Sequence, residues 1–300
     1  NHMVESFETS KETQLAKKVK IINLKNGKKK ELDCELLFLC ASTISTLRIL
    51  LNSEDKTHSS GFKDLSGKLG KCLMDHISIC RFFSVEQIST HEESMIKSSS
   101  LSGAGSFFMP FGSKLTDNKN INFLRGYGIW GAINRLGVPK CIQKDPSKAI
   151  GFLIAHGEVL PRESNKVKLS NQVDKWGLRI PHIEFEWSEN ELNMTKHMEQ
   201  TIIKSVAAVN GEIKNFKDLF NIPFLGTLEK NSIALSNTPP PPGYYIHEVG
   251  GAPMGNSKTE SVLDKWNRLW CCKNVFVLDG SCWPTSSWQS PTLTMMAISR

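Results

Sequence analysis

The sequence predicts an α/β domain that is interrupted by an α+β domain and then resumed. Three observations carry this reading. Leu36-Leu-Phe-Leu-Cys40 is apolar at every position and is followed by Ile44–Leu51 at helical spacing, a strand–helix pair. Asn274-Val-Phe-Val-Leu-Asp279, followed by the apolar Pro291-Thr-Leu-Thr-Met-Met-Ala-Ile298, repeats the pair near the other end. Between them, short apolar stretches alternate with long polar loops, the pattern of an antiparallel sheet.

Taken in order, Lys18-Val-Lys-Ile-Ile-Asn-Leu-Lys25 alternates and is rich in β-formers, and Asn26-Gly27 predicts a two-residue hairpin turn at φ > 0. Glu31 to Cys40 is the expected returning strand, its all-apolar end buried on both faces. Residues 55–75 are a polar loop punctuated by Gly61, Gly67 and Gly70, which ends at Leu73-Met-Asp-His76. Strands are then expected over Ile77–Val85, Ile150–Leu160 and Ile180–Trp187. Glu191–Ala208 carries Leu192, Met194, Met198, Ile202 and Val206 at the spacing of an amphipathic helix. Four consecutive prolines, Pro239 to Pro242, mark a boundary or rigid connector within Asn237–Gly243. The expected division is 1–76, 77–235 and 236–300, the outer two forming one domain.

Composition excludes several classes. At 39% hydrophobic and 22% charged residues, the 300-residue chain reads as globular rather than disordered. The net charge of +7 comes from scattered lysines. The densest run, Lys17, Lys18, Lys20, Lys25, Lys28, Lys29 and Lys30, has no interleaved aromatic residues for base stacking. It reads as a solvated hairpin rim, with no nucleic acid as partner. Eight cysteines include no C-x-x-C pair and no zinc spacing, so no metal is expected. Cys34, Cys40 and Cys80 sit in apolar runs as small core residues, which favours a reducing, cytoplasmic setting. No apolar stretch approaches the roughly 18 residues of a membrane span. The polar opening Asn1-His2-Met3 shows no signal peptide, an observation without weight if the chain lacks its own N-terminus.

Common catalytic motifs are missing: G-x-S-x-G, H-E-x-x-H and the Walker loop do not occur. Nor does G-x-G-x-x-G, of which Gly103-Ala-Gly105 has only the first two glycines. What does occur is an ordered succession near the end. His247-Glu-Val-Gly-Gly-Ala-Pro-Met-Gly255 is followed by Ser261-Val-Leu-Asp264, by Asn274-Val-Phe-Val-Leu-Asp-Gly-Ser-Cys-Trp-Pro284 and by Ser290-Pro-Thr-Leu-Thr294. This succession resembles the C-terminal signature of the glucose–methanol–choline (GMC) family of FAD-dependent oxidoreductases. Leu39-Cys-Ala-Ser-Thr43, Arg48-Ile-Leu-Leu-Asn-Ser53 and Gly70-Lys-Cys-Leu-Met-Asp-His76 extend the likeness upstream. Leu160-Pro-Arg-Glu-Ser-Asn165 and Asp174-Lys-Trp-Gly177 are similar to its bacterial sugar and polyol dehydrogenase branch.

The resemblance implies the remainder of a Rossmann-like FAD-binding domain interrupted by a substrate domain with a mainly antiparallel sheet and helices. Residues 1–76 would end the first FAD-domain portion, 77–235 would be the substrate domain, and 236–300 the returning portion. It implies oxidation of a CH–OH group of an alcohol, sugar or polyol, with hydride passing to flavin N5. His247 stands at the family's catalytic histidine, and an imidazole titrating near neutrality suits a base. Ser290 stands where the family has a histidine or asparagine paired with that histidine, and serine cannot act as a base near neutral pH. Ser290 and Pro291 also suit the start of a helix, with Thr292 next, whose N–H groups would face the flavin pyrimidine edge. Asp279 and Gly280 would lie against the FAD diphosphate and ribityl chain.

Each position also has a plainer reading: a structural loop histidine, a well-capped helix, a strand-end turn. His156, His182 and His197 are read as ordinary surface or core residues. The family's N-terminal dinucleotide unit, with its glycine motif, has no counterpart here, so a fragment that pairs with a missing FAD-domain portion is expected, with exposed apolar surface. The alternative is a non-catalytic remnant acting as a binding or interaction module, which Ser290 and the absent glycine motif favour.

Overall fold

In a computed structural model, residues 1–53, 63–86, 106–112, 121–133, 139–232 and 239–300 are described. Gly103-Ala-Gly105 and Gly61 lie outside the described residues. Two compact units form. The first comprises Asn1–Asp75, Val159–Glu186 and Tyr245–Arg300, the second His76–Glu158 and Trp187–Tyr244.

The first unit opens with an antiparallel sheet of β1 (His2–Thr9), β2 (Ala16–Asn23) and β3 (Lys29–Asp33). Its lysines face carboxylates across the strands: Lys18 to Glu31 at 2.8 Å and Lys29 to Glu5 at 2.8 Å. The β2–β3 connection differs from the expected two-residue turn. Asn23 N–H bonds Lys28 O, leaving a four-residue loop, and of Asn26 and Gly27 only Gly27 has positive φ (+70°). The expected strand Glu31–Cys40 is split. β3 ends at Asp33, and β4 (Leu37–Leu39) joins a different sheet.

That second sheet, ordered β12 (Arg268–Leu269), β13 (Cys272–Val277), β4, pairs the two apolar runs in parallel: Val275 with Leu37, Phe276 with Phe38, Val277 with Leu39. The break before β4 is held by Asn274, whose Nδ2 donates to Glu35 O at 2.7 Å and Ala16 O at 2.9 Å while its Oδ1 accepts Ala16 N–H at 2.8 Å. Burial of β4 on both faces is not observed. Leu39 is 3% exposed, but Leu36 is 59% and Phe38 55%, the latter stacked on Phe276 at 5.2 Å. The parallel pair is thus covered on one face only, and apolarity at every position reflects strand chemistry rather than two packed layers.

After β4 the chain turns through Ser42 (φ +70°) into α1 (Thr43–Ser53), with Leu47 and Leu50 fully buried. β9 (Lys166–Val173) and β10 (Arg179–Glu184) form a hairpin that belongs to this unit, although the sequence reading placed 159–186 in the middle region. Main-chain bonds explain the assignment: Val167 N–H to Gly70 O at 2.7 Å and Leu73 N–H to Asn165 O at 2.9 Å. Helix α5 (Thr292–Ile298) ends the chain's regular structure.

The second unit is the expected antiparallel sheet with a helix on one face. β11 (Glu212–Lys214), β5 (Ile77–Glu86), β8 (Lys148–Gly157), β7 (Gly126–Ile133) and β6 (Ser106–Gly112) lie in that order. Helix α2 (Glu189–Ala207) opens on Ser188, whose N–H donates to Glu191 Oε2 at 2.7 Å. Its stripe of Met194, Met198, Ile202 and Val206 packs on Ile77, Ile79, Phe83, Ile129 and Leu153. Leu192, expected in that stripe, is 44% exposed. Gly157 makes the close packing possible, since a Cβ there would meet Met194 Sδ and Met198 Cε at 2.5 Å each. On the opposite face, α3 (Phe216–Leu219) and α4 (Leu225–Asn231) cover Ile150 and Phe82. No helix among the described residues is long and apolar enough to cross a membrane.

Candidate functional site

Parallel strands β4 and β13 end side by side, and the loops at their C-terminal ends are tied together by named side chains. Leu278 N–H extends the pairing to Leu39 O at 3.0 Å. Beyond it, Asp279 is 6% exposed and its carboxylate is fully engaged within the chain. Oδ1 accepts Ser281 N–H at 3.0 Å and Ser281 Oγ at 2.6 Å; Oδ2 accepts Thr46 Oγ1 at 2.5 Å. Asp279 therefore caps the 3-10 turn Gly280–Cys282 and joins it to α1. Thr46 Oγ1 also accepts Ala41 N–H at 3.2 Å, so one buried hydroxyl links both loops.

The segment after His247 lies along the same turn. Gly250 N–H bonds Gly280 O at 2.8 Å, Ala252 N–H bonds Ser281 O at 2.8 Å, and Met254 N–H bonds Cys282 O at 2.9 Å. Thr43 Oγ1 donates to Glu248 O at 2.5 Å. Gly280 sits where these meet: a Cβ there would lie 2.7 Å from Thr43 Oγ1, 2.9 Å from Glu248 O and 3.1 Å from Met295 Cε. Its lack of a side chain is thus demanded by the chain's own atoms. Gly250 and Gly251 have φ of +89° and +97°, and side chains there would strike Cys72 O and the Leu47 methyls.

His247 is half-buried, its ring 6.3 Å from that of Tyr245. Burial lowers its pKa below the ordinary 6.5, against a smaller opposing pull from Glu248. That direction favours the neutral form of the imidazole, the form that accepts a proton. Ser290 is exposed, Pro291 buried and Thr292 exposed. The expected cap is displaced by one residue. Pro291 is itself the N-cap, at φ −77° and ψ −18°, and accepts Met295 N–H at 3.0 Å. Proline's fixed φ is already helical, so helical geometry begins there and Ser290 lies outside it. The structure therefore gathers the His247 segment, Asp279, Gly280 and Met295 of α5, while Ser290 and Thr292 stand at exposed positions.

Thr43 and Thr46 were missed by the sequence reading. Their signal was the repeated hydroxyls of Ala41-Ser-Thr-Ile-Ser-Thr46 directly after an apolar strand.

The second unit has its own clusters. The His76 and His156 rings stack at 5.4 Å and 10°, with Trp130 edge-on to His156 at 6.3 Å and the 67% exposed Phe108 stacked on Trp130 at 6.5 Å. His156 is thus part of an aromatic group. Tyr127 is fully buried, and its hydroxyl lies 2.8 Å from both His197 Nδ1 and Thr201 Oγ1. Burial pushes the phenol up to about 12, which marks a structural network. Among the described residues no group of three or more His, Cys, Asp or Glu could hold a metal ion.

Comparison with known proteins relates this arrangement to others. Residues 161–299 match the family model described as GMC oxidoreductase. That stretch is similar to the C-terminal region of GMC oxidoreductases. The chain is 28% identical over 298 residues to 2-methyl-1,2-propanediol dehydrogenase of Mycolicibacterium austroafricanum, covering 92% of this chain and 48% of that protein. It is 26% identical over 280 residues to the fructose dehydrogenase large subunit of Gluconobacter japonicus, covering 87% and 45%. The crystal structure of pyridoxine 4-oxidase from Mesorbium loti shares the fold at a TM-score of 0.61 and 14% identity, over 99% of this chain and 55% of that one. The chain spans about half the length of the curated relatives it matches.

Proposed function

We propose that this chain carries the flavin-side residues of an FAD-dependent oxidoreductase acting on the CH–OH group of an alcohol, sugar or polyol, with His247 as the base. One observation carries the reading: three loops, 40–43, 247–251 and 279–283, converge at the C-terminal ends of a parallel strand pair with the half-buried His247 on one of them. Ligands of open α/β sheets bind at such strand ends.

The residues present fit the cofactor on its flavin-ring side. Asp279, its carboxylate committed to Thr46 and Ser281, supports from behind, and the close approach falls to the Gly280 main chain. Pro291 and Thr292 would offer the first turn of α5. When bound, FAD supplies the acceptor for the hydride. His247 accepts the hydroxyl proton of the substrate, and its neutral form is the one required. Ser290 would hold the same hydroxyl by a hydrogen bond without taking its proton. The names of the curated relatives, a diol dehydrogenase and a fructose dehydrogenase, support a hydroxylated substrate.

The test uses the full chain purified with added FAD. Retained flavin colour and reduction of a dye acceptor by polyols are expected, with turnover falling about 10²–10⁴-fold in His247→Ala, the usual worth of a positioned base. A folded chain that stays colourless would overturn the enzyme reading for this chain and favour a binding module. Flavin retention with unimpaired His247→Ala turnover would remove the base assignment alone.

A further inference from the structure

A cleft of about 450 Å³ lies within the first unit, lined by none of the residues assigned above. Its walls are built from chain segments held at close quarters. Gly70 (φ +79°) approaches Val167 so tightly that a Cβ would lie 2.4 Å from Val167 O, and Lys71 bridges to Lys166. Beyond that bridge, β9 runs opposite the loop before Gly70. Asp64 fixes this loop by accepting Ser66 N–H and Leu69 N–H, both at 3.0 Å. The space between is the cleft.

Its lining divides by chemistry. Leu51, Leu69 and Leu169 supply apolar surface beside the buried Val167, and Lys71, Lys166, Lys168 and Arg179 supply cations. The carboxylates nearby are outnumbered. Glu184 is shared by Lys168 at 2.8 Å and Lys166 at 3.0 Å, and Glu163 by Lys68 and by Lys71 at 2.9 Å. Asp64 is committed to its loop. Four cations, Lys71, Lys166, Lys168 and Arg179, therefore line the cleft with one carboxylate, Asp64, and the Arg179 guanidinium also donates to Ser170 O at 3.0 Å and Leu169 O at 2.9 Å. Exposed lysine–carboxylate pairs contribute little to stability, so an ammonium group can turn to an incoming anion at small cost. The volume falls in the range of small-molecule sites, roughly 300–1,000 Å³.

We propose that this cleft binds an organic anion of the phosphate-ester class, its apolar body on Leu51, Leu69 and Leu169 and its phosphate at Lys166, Lys168 and Arg179. The assignment is independent of the oxidoreductase reading. Solvated ion pairs alone would explain the charges, but they would give no preference for a ligand with an apolar body.

Titration of the full chain with phenyl phosphate, inorganic phosphate and phenol, followed by calorimetry, separates these cases. Phenyl phosphate is expected to bind at least about tenfold more tightly than either of the others, with an affinity that falls as salt is raised. Lys168→Glu, at a rim position where the side chain is 54% exposed, is expected to weaken it about tenfold or more with an unchanged far-ultraviolet spectrum. Lys166→Gln is the second variant, should the first misfold. Equal affinity for inorganic phosphate (an adventitious ion only), indifference to both substitutions, or no measurable binding would each overturn the proposal.

Discussion

Adding one methyl group at Gly280 tests whether the loops of the site are held by the contacts described. The Gly280→Ala Cβ would lie 2.7 Å from Thr43 Oγ1 and 2.9 Å from Glu248 O, the two partners of a 2.5 Å hydrogen bond. Overpacking a close-fitted position costs about 1–3 kcal/mol. Displacing the Thr43–Glu248 bond costs about 0.5–1.5 kcal/mol more. Against this, φ at Gly280 is not in the left-handed region, so alanine recovers roughly 0.4–1 kcal/mol of unfolded-state entropy. The net expectation is a loss of about 0.5–4 kcal/mol, with a centre near about 2, against the roughly 5–15 kcal/mol typical of a domain. Urea denaturation followed by tryptophan fluorescence measures it. Thr43→Ala removes the nearest obstacle, so the double variant is expected to lose at least about 0.5 kcal/mol less than the sum of the single changes. A Gly280→Ala protein within about 0.5 kcal/mol of the parent, or strictly additive effects, would refute the crowding at this glycine.

Three further outcomes are expected. Asn274→Ala strips partners from Ala16 N–H, Ala16 O and Glu35 O and should cost about 2–4 kcal/mol, read from the urea midpoint. Met198→Ala, fully buried over Gly157 in the second unit, should cost about 2–5 kcal/mol through the cavity it leaves, measured by the same titration. Burial lowers the folded-state pKa of His247 and His197 below 6.5, so as pH falls the unfolded chain binds protons first. Their contribution is present above about pH 6.5 and declines below it, and His247→Gln should flatten that decline in melting temperature between about pH 7 and pH 5. An unchanged slope would count against the buried, neutral imidazole.

Much of this was legible in the chain because the signals are local. The apolar runs at 36–40 and 274–279, the stripe from Met194 to Val206 and the order of motifs after His247 are patterns of neighbouring residues, and local sterics and periodicity decide what they form. Less legible was anything set by residues distant in sequence. The break in Glu31–Cys40 depends on a side chain about 240 positions away, Asn274. The 159–186 hairpin joined the first unit through main-chain bonds to Gly70 and Leu73, which no periodicity announces.

The same division holds at the site. By itself the sequence determined the two strand–helix pairs, the antiparallel middle region with its helix, and the family likeness carried by His247, Asp279-Gly280 and Ser290-Pro291. Only the tertiary structure decided that Asp279 spends its carboxylate on Thr46 and Ser281, that Gly280 is bare because Thr43 and Glu248 crowd it, and that Ser290 stands outside the helix it was expected to cap. The physical reason is that a residue's type limits which bonds it can make, while the partner it finds depends on which distant segments packing brings within about 3 Å of it.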